Sequence, residues 1–154
     1  MSRRKQISLT PDEEARYVRA QKTITLCSID HRGYPHAVAM WFEVDPDGSI
    51  LMTTYSKSQK ARNLERNPKV ALMVESGERY EILKGVLIRG RAELIHDVDR
   101  CAALLTRVHK KMQGEDLPAG AEEILRAQAR KRVLIRVVPE YTSSWDHSKL
   151  GGIY

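Results

Sequence analysis

Two cysteines in 154 residues, Cys27 and Cys101, are too few for a disulfide framework. Both sit among apolar neighbours and read as buried free thiols in a reducing compartment, so a cytoplasmic location is expected. No apolar run approaches the ~18 residues that span a bilayer, and no membrane partner is expected. The basic opening Met1-Ser2-Arg3-Arg4-Lys5 leads into polar residues, unlike a secretory signal. There is no Cys-x-x-Cys. No two of the five histidines (His31, His36, His96, His109, His147) lie at metal-ligand spacing, so no metal site is expected. A Gly-x-Ser-x-Gly elbow, a Walker A loop and a Gly-x-Gly-x-x-Gly turn are all missing. The carboxylate pairs Glu13-Glu14 and Glu122-Glu123 fall on helical segments and read as solvated charge. A hydrolase is hard to build from this inventory. If the chain is an enzyme, a cofactor supplies the chemistry, and no catalytic side chain stands out. Aromatics are scarce too, at 6%, and do not alternate with the basic runs. The stacking platform of a single-strand binder is therefore absent, and no nucleic acid partner is expected.

What remains is an ordinary globular balance, 42% hydrophobic and 30% charged, in a length that suits one domain over residues 1–154. Twenty-six Lys and Arg against twenty Asp and Glu give a formal charge of +6. That excess suits an anionic partner such as a phosphorylated small molecule, an anionic lipid or a nucleic acid. The dense basic runs are Arg3-Arg4-Lys5, His109-Lys110-Lys111 and Arg130-Lys131-Arg132, each beside a predicted element end. The last two read as solvated helix C-termini.

Thr10-Pro11-Asp12-Glu13 starts a helix that should run to about Ala20, with Thr10 as cap and Glu13 completing a capping box. Thr23 to Ile29, Pro35 to Val44 and Ile50 to Tyr55 read as strands. The turns His31-Arg32-Gly33-Tyr34 and Asp45-Pro46-Asp47-Gly48 join them into an antiparallel meander. A short helix follows from Ser58 to Arg66, stopped by Asn67-Pro68. Val70 to Glu75 is a strand, and Tyr80 to His96 is one or two more. Gly85 and Gly90 in the latter suggest bulges or close backbone approach where a sheet bends into a barrel. Helices are expected from Asp97 or Asp99 to about Met112 and from Ala121 to Arg130. Val133 to Val138 is the last strand, ended by Pro139, and residues 141–154 form a tail. The pattern predicts a mainly β, closed or nearly closed barrel with flanking helices.

The stretch Leu51 to Leu64 carries the most chemistry. A strand delivers Thr53 and Thr54 to its end, a loop carries Lys57, and a helix opens with Ser58 and has Lys60 in its first turn. Free N–H groups and the positive end of the helix dipole already favour an anion there, so a first-turn lysine is misplaced unless an anion compensates it. The set makes a phosphate site, or else an ordinary capped helix with two solvated lysines. At the far end, Ser143-Ser144-Trp145-Asp146-His147-Ser148-Lys149-Leu150 places a tryptophan among polar residues, which needs a partner surface. That surface is its own domain, a neighbouring subunit or a ligand.

Four segments in order carry a family likeness over nearly the whole chain. They are Gly33-x-Pro35-His36 leading into Ala37-Val38-Ala39-Met40-Trp41-Phe42; Lys57-Ser58-Gln59-Lys60-Ala61-x-Asn63-Leu64-x-Arg66-x-Pro68-x-Val70; Gly85-Val86-x-Ile88-x-Gly90-x-Ala92-Glu93; and Ser144-Trp145-Asp146-His147-x-Lys149-Leu150-Gly151. In these the sequence resembles the split-barrel flavin and deazaflavin oxidoreductases, the superfamily that includes pyridoxamine 5′-phosphate oxidase. It is most similar to the actinobacterial branch that uses coenzyme F420. The resemblance implies a six-stranded antiparallel Greek-key split β-barrel that forms a homodimer with cofactor sites at the interface. It implies that His36, Ala37, Val38, Ala39, Met40 and Trp41 line the tricyclic ring. Thr53 and Thr54 would reach the ribityl chain or phosphate. Lys57, Ser58 and Lys60 would hold the phosphate with help from Asn63, and Trp145 and Lys149 would approach from the partner subunit. The implied activity is hydride transfer from reduced F420 to an electron-poor small molecule. The alternatives are an FMN-binding relative of pyridoxamine 5′-phosphate oxidase and a non-catalytic carrier of F420 or a flavin. The oxidase itself has an Arg-Lys pair where this chain has Gln59-Lys60, and an arginine where it has His36. It also carries C-terminal arginine motifs that are missing here, which argues against pyridoxamine phosphate as substrate.

Overall fold

A computed structural model describes residues 2–152, so the last two residues of the expected tail lie outside the described residues. The elements in order are α1 (Arg3–Ile7), α2 (Pro11–Ala20), β1 (Thr23–Ile29), β2 (Pro35–Trp41), β3 (Glu43–Val44), β4 (Ile50–Tyr55), α3 (Gln59–Arg66), β5 (Lys69–Ser76), β6 (Lys84–Ile95), α4 (Val98–Gln113), α5 (Ala121–Ala129) and β7 (Arg132–Asp146). The strands form one curled antiparallel sheet in the order β2-β1-β5-β6-β7-β4-β3. The expected architecture is present with seven strands rather than six.

The extra strand comes from a break in the expected second one. Phe42 is fully buried, and the Lys111 ammonium of α4 lies 4.1 Å from its ring and donates to its carbonyl at 3.2 Å. Pinning that residue turns the chain out of β2 and leaves Glu43–Val44 to pair with Ile50 and Leu51 of β4. The last strand departs further from expectation, because Pro139 does not end it. β7 runs through Pro139 to Asp146, so the first six residues of the expected tail are strand. The reason is a bulge. Arg89 faces Tyr141 and Gly90 faces Pro139, which leaves Glu140 as the extra residue. A bulge is where a residue without an N–H does least harm to a ladder. Gly90 makes the close approach possible, since a Cβ on it would meet the Val138 carbonyl oxygen at 2.2 Å.

Alternation along the strands sends Ile24, Leu26, Met52, Leu72, Val86 and Ile135 into the barrel interior. A second apolar cluster forms outside it, where Leu51 of β4 and Leu134 of β7 meet Cys101, Leu104 and Val108 of α4. This second layer holds α4 and α5 against one mouth of the barrel, and that placement creates the cavity described below. Among the described residues no helix is long and apolar enough to cross a membrane.

Candidate functional site

The sheet does not close on itself with hydrogen bonds. β2 pairs only with β1, and β3 covers β4 only at Ile50 and Leu51. The β2 edge near Trp41 and the β4 edge from Met52 to Tyr55 therefore face an open split, with backbone groups free to bond a ligand. A cavity of about 500 Å³ lies in this split. Ala39, Met40 and Trp41 line it from β2, and Thr53, Thr54 and Tyr55 from β4. Lys60 and Arg132 enter beside the β4 edge, and Leu105, Val108, His109, Met112 and Leu125 of α4 and α5 form the helical wall. No carboxylate lines it.

The junction between β4 and α3 is built as its sequence requires. Ser58 caps α3, its Oγ accepting from the Ala61 N–H at 3.3 Å. The buried Thr54 hydroxyl donates to Ser58 Oγ at 3.2 Å and accepts from Lys60 Nζ at 3.2 Å. Burial, and then the charge of Arg132, push the Lys60 ammonium below the ordinary lysine value. No ion pair with a carboxylate forms at Lys60 among the described residues.

Arg132 is the residue that sequence reasoning missed. Its place in a basic run suggests a solvated side chain, yet it opens β7 directly opposite Tyr55. Its guanidinium lies 4.7 Å from the Tyr55 ring, and Nη1 donates to Thr53 Oγ1 at 3.4 Å. Its Nε is buried and has no acceptor. The available signal was register: a strand starting at Arg132 rather than Val133 puts that side chain on the same face as Leu134, toward α4.

The other expected site residues are distributed unevenly. Ser58 joins Thr54 and Lys60 at the junction. Lys57 points away from the cavity into a shallow basic depression with Tyr55, Ser56, Arg130 and Lys131. Asn63 is fully buried, and its amide is used up inside the fold. Its Nδ2 donates to Ser28 Oγ at 3.0 Å, and its Oδ1 accepts from Gln59 at 2.8 Å and from Arg66 at 3.3 Å. It ties α3 to β1 and does not reach the cavity. His36 and Val38 turn toward the barrel interior, and Ala37 is exposed on the outer face. The His36 Nδ1 is buried without a partner. Trp145 and Lys149 lie at the opposite end of the β6–β7 ladder. Trp145 faces Gly85 and fills the space a Cβ would take there. Lys149 donates to Glu13 at 2.7 Å and to the Ser8 carbonyl at 3.0 Å. Within one chain neither reaches the cavity.

An anionic arm of a tricyclic coenzyme fits these residues. The cavity is large enough to take much of a planar heterocycle, its cations lack counter-charges, a buried Nε lacks an acceptor, and two strand edges stand open.

Comparison with known proteins agrees with this architecture. Over 109 residues, 64% of this chain and 77% of the relative, the sequence is 31% identical to a 5a,11a-dehydrotetracycline/5a,11a-dehydrooxytetracycline reductase of Streptomyces rimosus. The crystal structure of the conserved hypothetical protein Rv2991 from Mycobacterium tuberculosis superposes with a TM-score of 0.89 at 34% identity, covering 100% of this chain and 95% of that one. A structure described as an F420 reductase shares the fold, with a TM-score of 0.68 at 24% identity over 87% of this chain and 98% of that one. Residues 10–146 match the pyridoxamine 5′-phosphate oxidase family, and the chain belongs to that family.

Proposed function

We propose that this protein is an oxidoreductase that binds the deazaflavin coenzyme F420 in the open split of its barrel and reduces an electron-poor small molecule. The observation that carries this reading is the cavity beside the free β4 edge: hydroxyls and two cations at one end, no carboxylate, and an apolar helical wall at the other. The reductase relative from Streptomyces rimosus supports the same class of chemistry.

When bound, the reduced deazaflavin supplies a hydride from its C5 position. The chain's own residues do the rest. Lys60, with Thr54 and Ser58 behind it, holds the phosphate of the arm. The free backbone edge at Ala39, Met40 and Trp41 offers N–H and C=O groups to the polar rim of the ring. Leu105, Val108, Met112 and Leu125 would exclude water and give an apolar acceptor a wall to rest on inside the cavity. A second copy of the chain completes the site. It covers the outer face of β2, β1 and β5, where Ala37, Ala39 and Trp41 are exposed, and Trp41 is 58% exposed in the single chain. Trp145 belongs to the partner's share of the site. Lys149, held by Glu13 in its own chain, supports the tail that carries Trp145.

FMN also carries a phosphate on a ribityl arm and is the second reading. Gln59 and His36, standing where the oxidase has arginines, favour F420 over it. Parallel fluorescence titrations with F420 and FMN test the choice, followed by turnover on a panel of enones and quinones. Tighter F420 binding with turnover is expected, and a sedimentation coefficient of a dimer. Tighter FMN binding transfers the reading to FMN. Binding without turnover makes the protein a carrier, and binding of neither ends the proposal.

A further inference from the structure

Several cations on or beside the barrel pair with a carboxylate. Arg107 pairs with Asp45 at 2.8 Å, Arg136 with Asp47 at 2.9 Å, Lys84 with Asp146 at 3.1 Å and Lys111 with Glu43 at 3.4 Å. The two strong cations that line the cavity have no such pair. Lys60 and Arg132 approach the free β4 edge with no carboxylate at either. They come from its two faces. Thr53 and Thr54 are consecutive, so their side chains point to opposite sides of the strand. Arg132 donates to Thr53 on one side and Lys60 to Thr54 on the other. The Tyr55 ring lies against the guanidinium, 4.7 Å from centroid to carbon. What remains unused is Nε, buried and without an acceptor. Two like charges straddling one strand edge, one of them with an unsatisfied buried N–H, cost stability in the empty protein.

We infer that Arg132 is the second cation of a preorganised site for an anionic, phosphate-type group, which binds at the free β4 edge between the Lys60 ammonium and the Arg132 guanidinium. Arg132 gives Nε–H and a neighbouring Nη–H to two oxygens of the group, a planar fork that a lysine cannot reproduce. The inference deepens the proposed function by assigning the arm's phosphate to a residue pair. It rests on that reading only for the identity of the whole ligand. Arg130 and Lys131, exposed beside it, have no such role.

The site gives Arg132 opposite effects in the empty and loaded protein. Without an anion it is a liability, and with one it is an anchor. An arginine kept only for structure would do the reverse in the empty state. The test is thermal denaturation of the full chain with inorganic phosphate titrated at constant ionic strength, for wild type, Arg132→Gln and Arg132→Lys. Wild type should gain melting temperature with phosphate. Arg132→Gln should melt at or above wild type without phosphate and should gain little with it. Arg132→Lys should keep only part of the gain, since it restores charge but not the fork. Equal gains in wild type and Arg132→Gln would overturn the inference. So would no gain in wild type, or an Arg132→Gln protein that melts below wild type before phosphate is added. Coenzyme titration separates the two readings. A wild type that binds neither F420 nor FMN defeats the proposed function alone. An Arg132→Gln protein that binds the preferred coenzyme as tightly as wild type, rather than about tenfold more weakly, defeats this inference alone.

Discussion

Replacing Lys60 with methionine separates what the ligand needs from what the fold needs. Lys60 Nζ has one protein partner, the Thr54 hydroxyl at 3.2 Å, and its ammonium is disfavoured by burial and by Arg132. Methionine keeps the length and the apolar stem while removing the charge. A charged hydrogen bond to an anion contributes about 1.5–3 kcal/mol. At about 1.4 kcal/mol per tenfold, the variant should bind F420 about 10- to 150-fold more weakly. The empty protein should not lose stability. The folded-state lysine titrates below its ordinary value of 10.5, so the unfolded chain holds that proton more tightly. Below the folded-state value both states are protonated and the cost of the buried charge is fully present. It is relieved as pH rises from the folded-state value toward 10.5, so this residue makes wild-type stability climb across that window. The methionine variant should lack this climb. Fluorescence titration gives the affinity, and chemical denaturation from pH 7 to 10.5 gives the slope. A dissociation constant within about threefold of wild type, or a clear loss of stability at pH 7, would refute the assignment of Lys60 to an anion.

Asn63→Ala should act in the opposite way. It strands the buried Ser28 hydroxyl and releases Gln59, costing about 1–3 kcal/mol of stability by urea denaturation while coenzyme affinity stays close to wild type. Gly90→Ala would put a methyl group 2.2 Å from the Val138 carbonyl oxygen, a backbone atom inside the β6–β7 ladder. A loss of about 1–3 kcal/mol or more is expected, read as a lower melting temperature. Glu13 titrates at about 2, held there first by the Lys149 ammonium and next by the Thr10 N–H. Its contribution is present above the ordinary value of 4.5 and is lost as pH falls through about 2. Glu13→Gln should therefore give a shallower acid-unfolding curve by circular dichroism between those limits.

The features that local chemistry dictates were readable in the sequence. The Thr10 capping box, the Ser58 cap and the Asp97 cap are all formed, because each needs only residues within one turn. Thr54, Ser58 and Lys60 converge because a strand, a tight turn and a capped helix leave them little choice. What escaped depends on contacts distant in sequence. Pro139 is an ordinary terminator until Gly90, about fifty positions earlier, provides a bulge to receive it. The break at Phe42 requires Lys111 of α4 to reach its ring and carbonyl. The family resemblance assigns Asn63 to the phosphate, but its side chain, three positions past Lys60, is turned onto Ser28 of β1. Arg132 was hidden by two exposed basic neighbours, and only the pairing of β7 with β4 distinguishes it from them.

The open edge of β2 also bears on how the protein behaves in solution. Soluble proteins blunt such edges with lysines, prolines along the strand, or a covering element, since an unpaired strand invites another chain to add to it. β2 reads Pro-His-Ala-Val-Ala-Met-Trp over its seven residues and carries no lysine, arginine or carboxylate. Its only proline stands at the first position, away from the cavity. A coenzyme seated in the split would occupy the hydrogen-bonding groups near Trp41, and a second subunit would screen the exposed alanines. A preparation with nothing bound in the split should therefore be the one that clouds on storage, through strand addition at this edge.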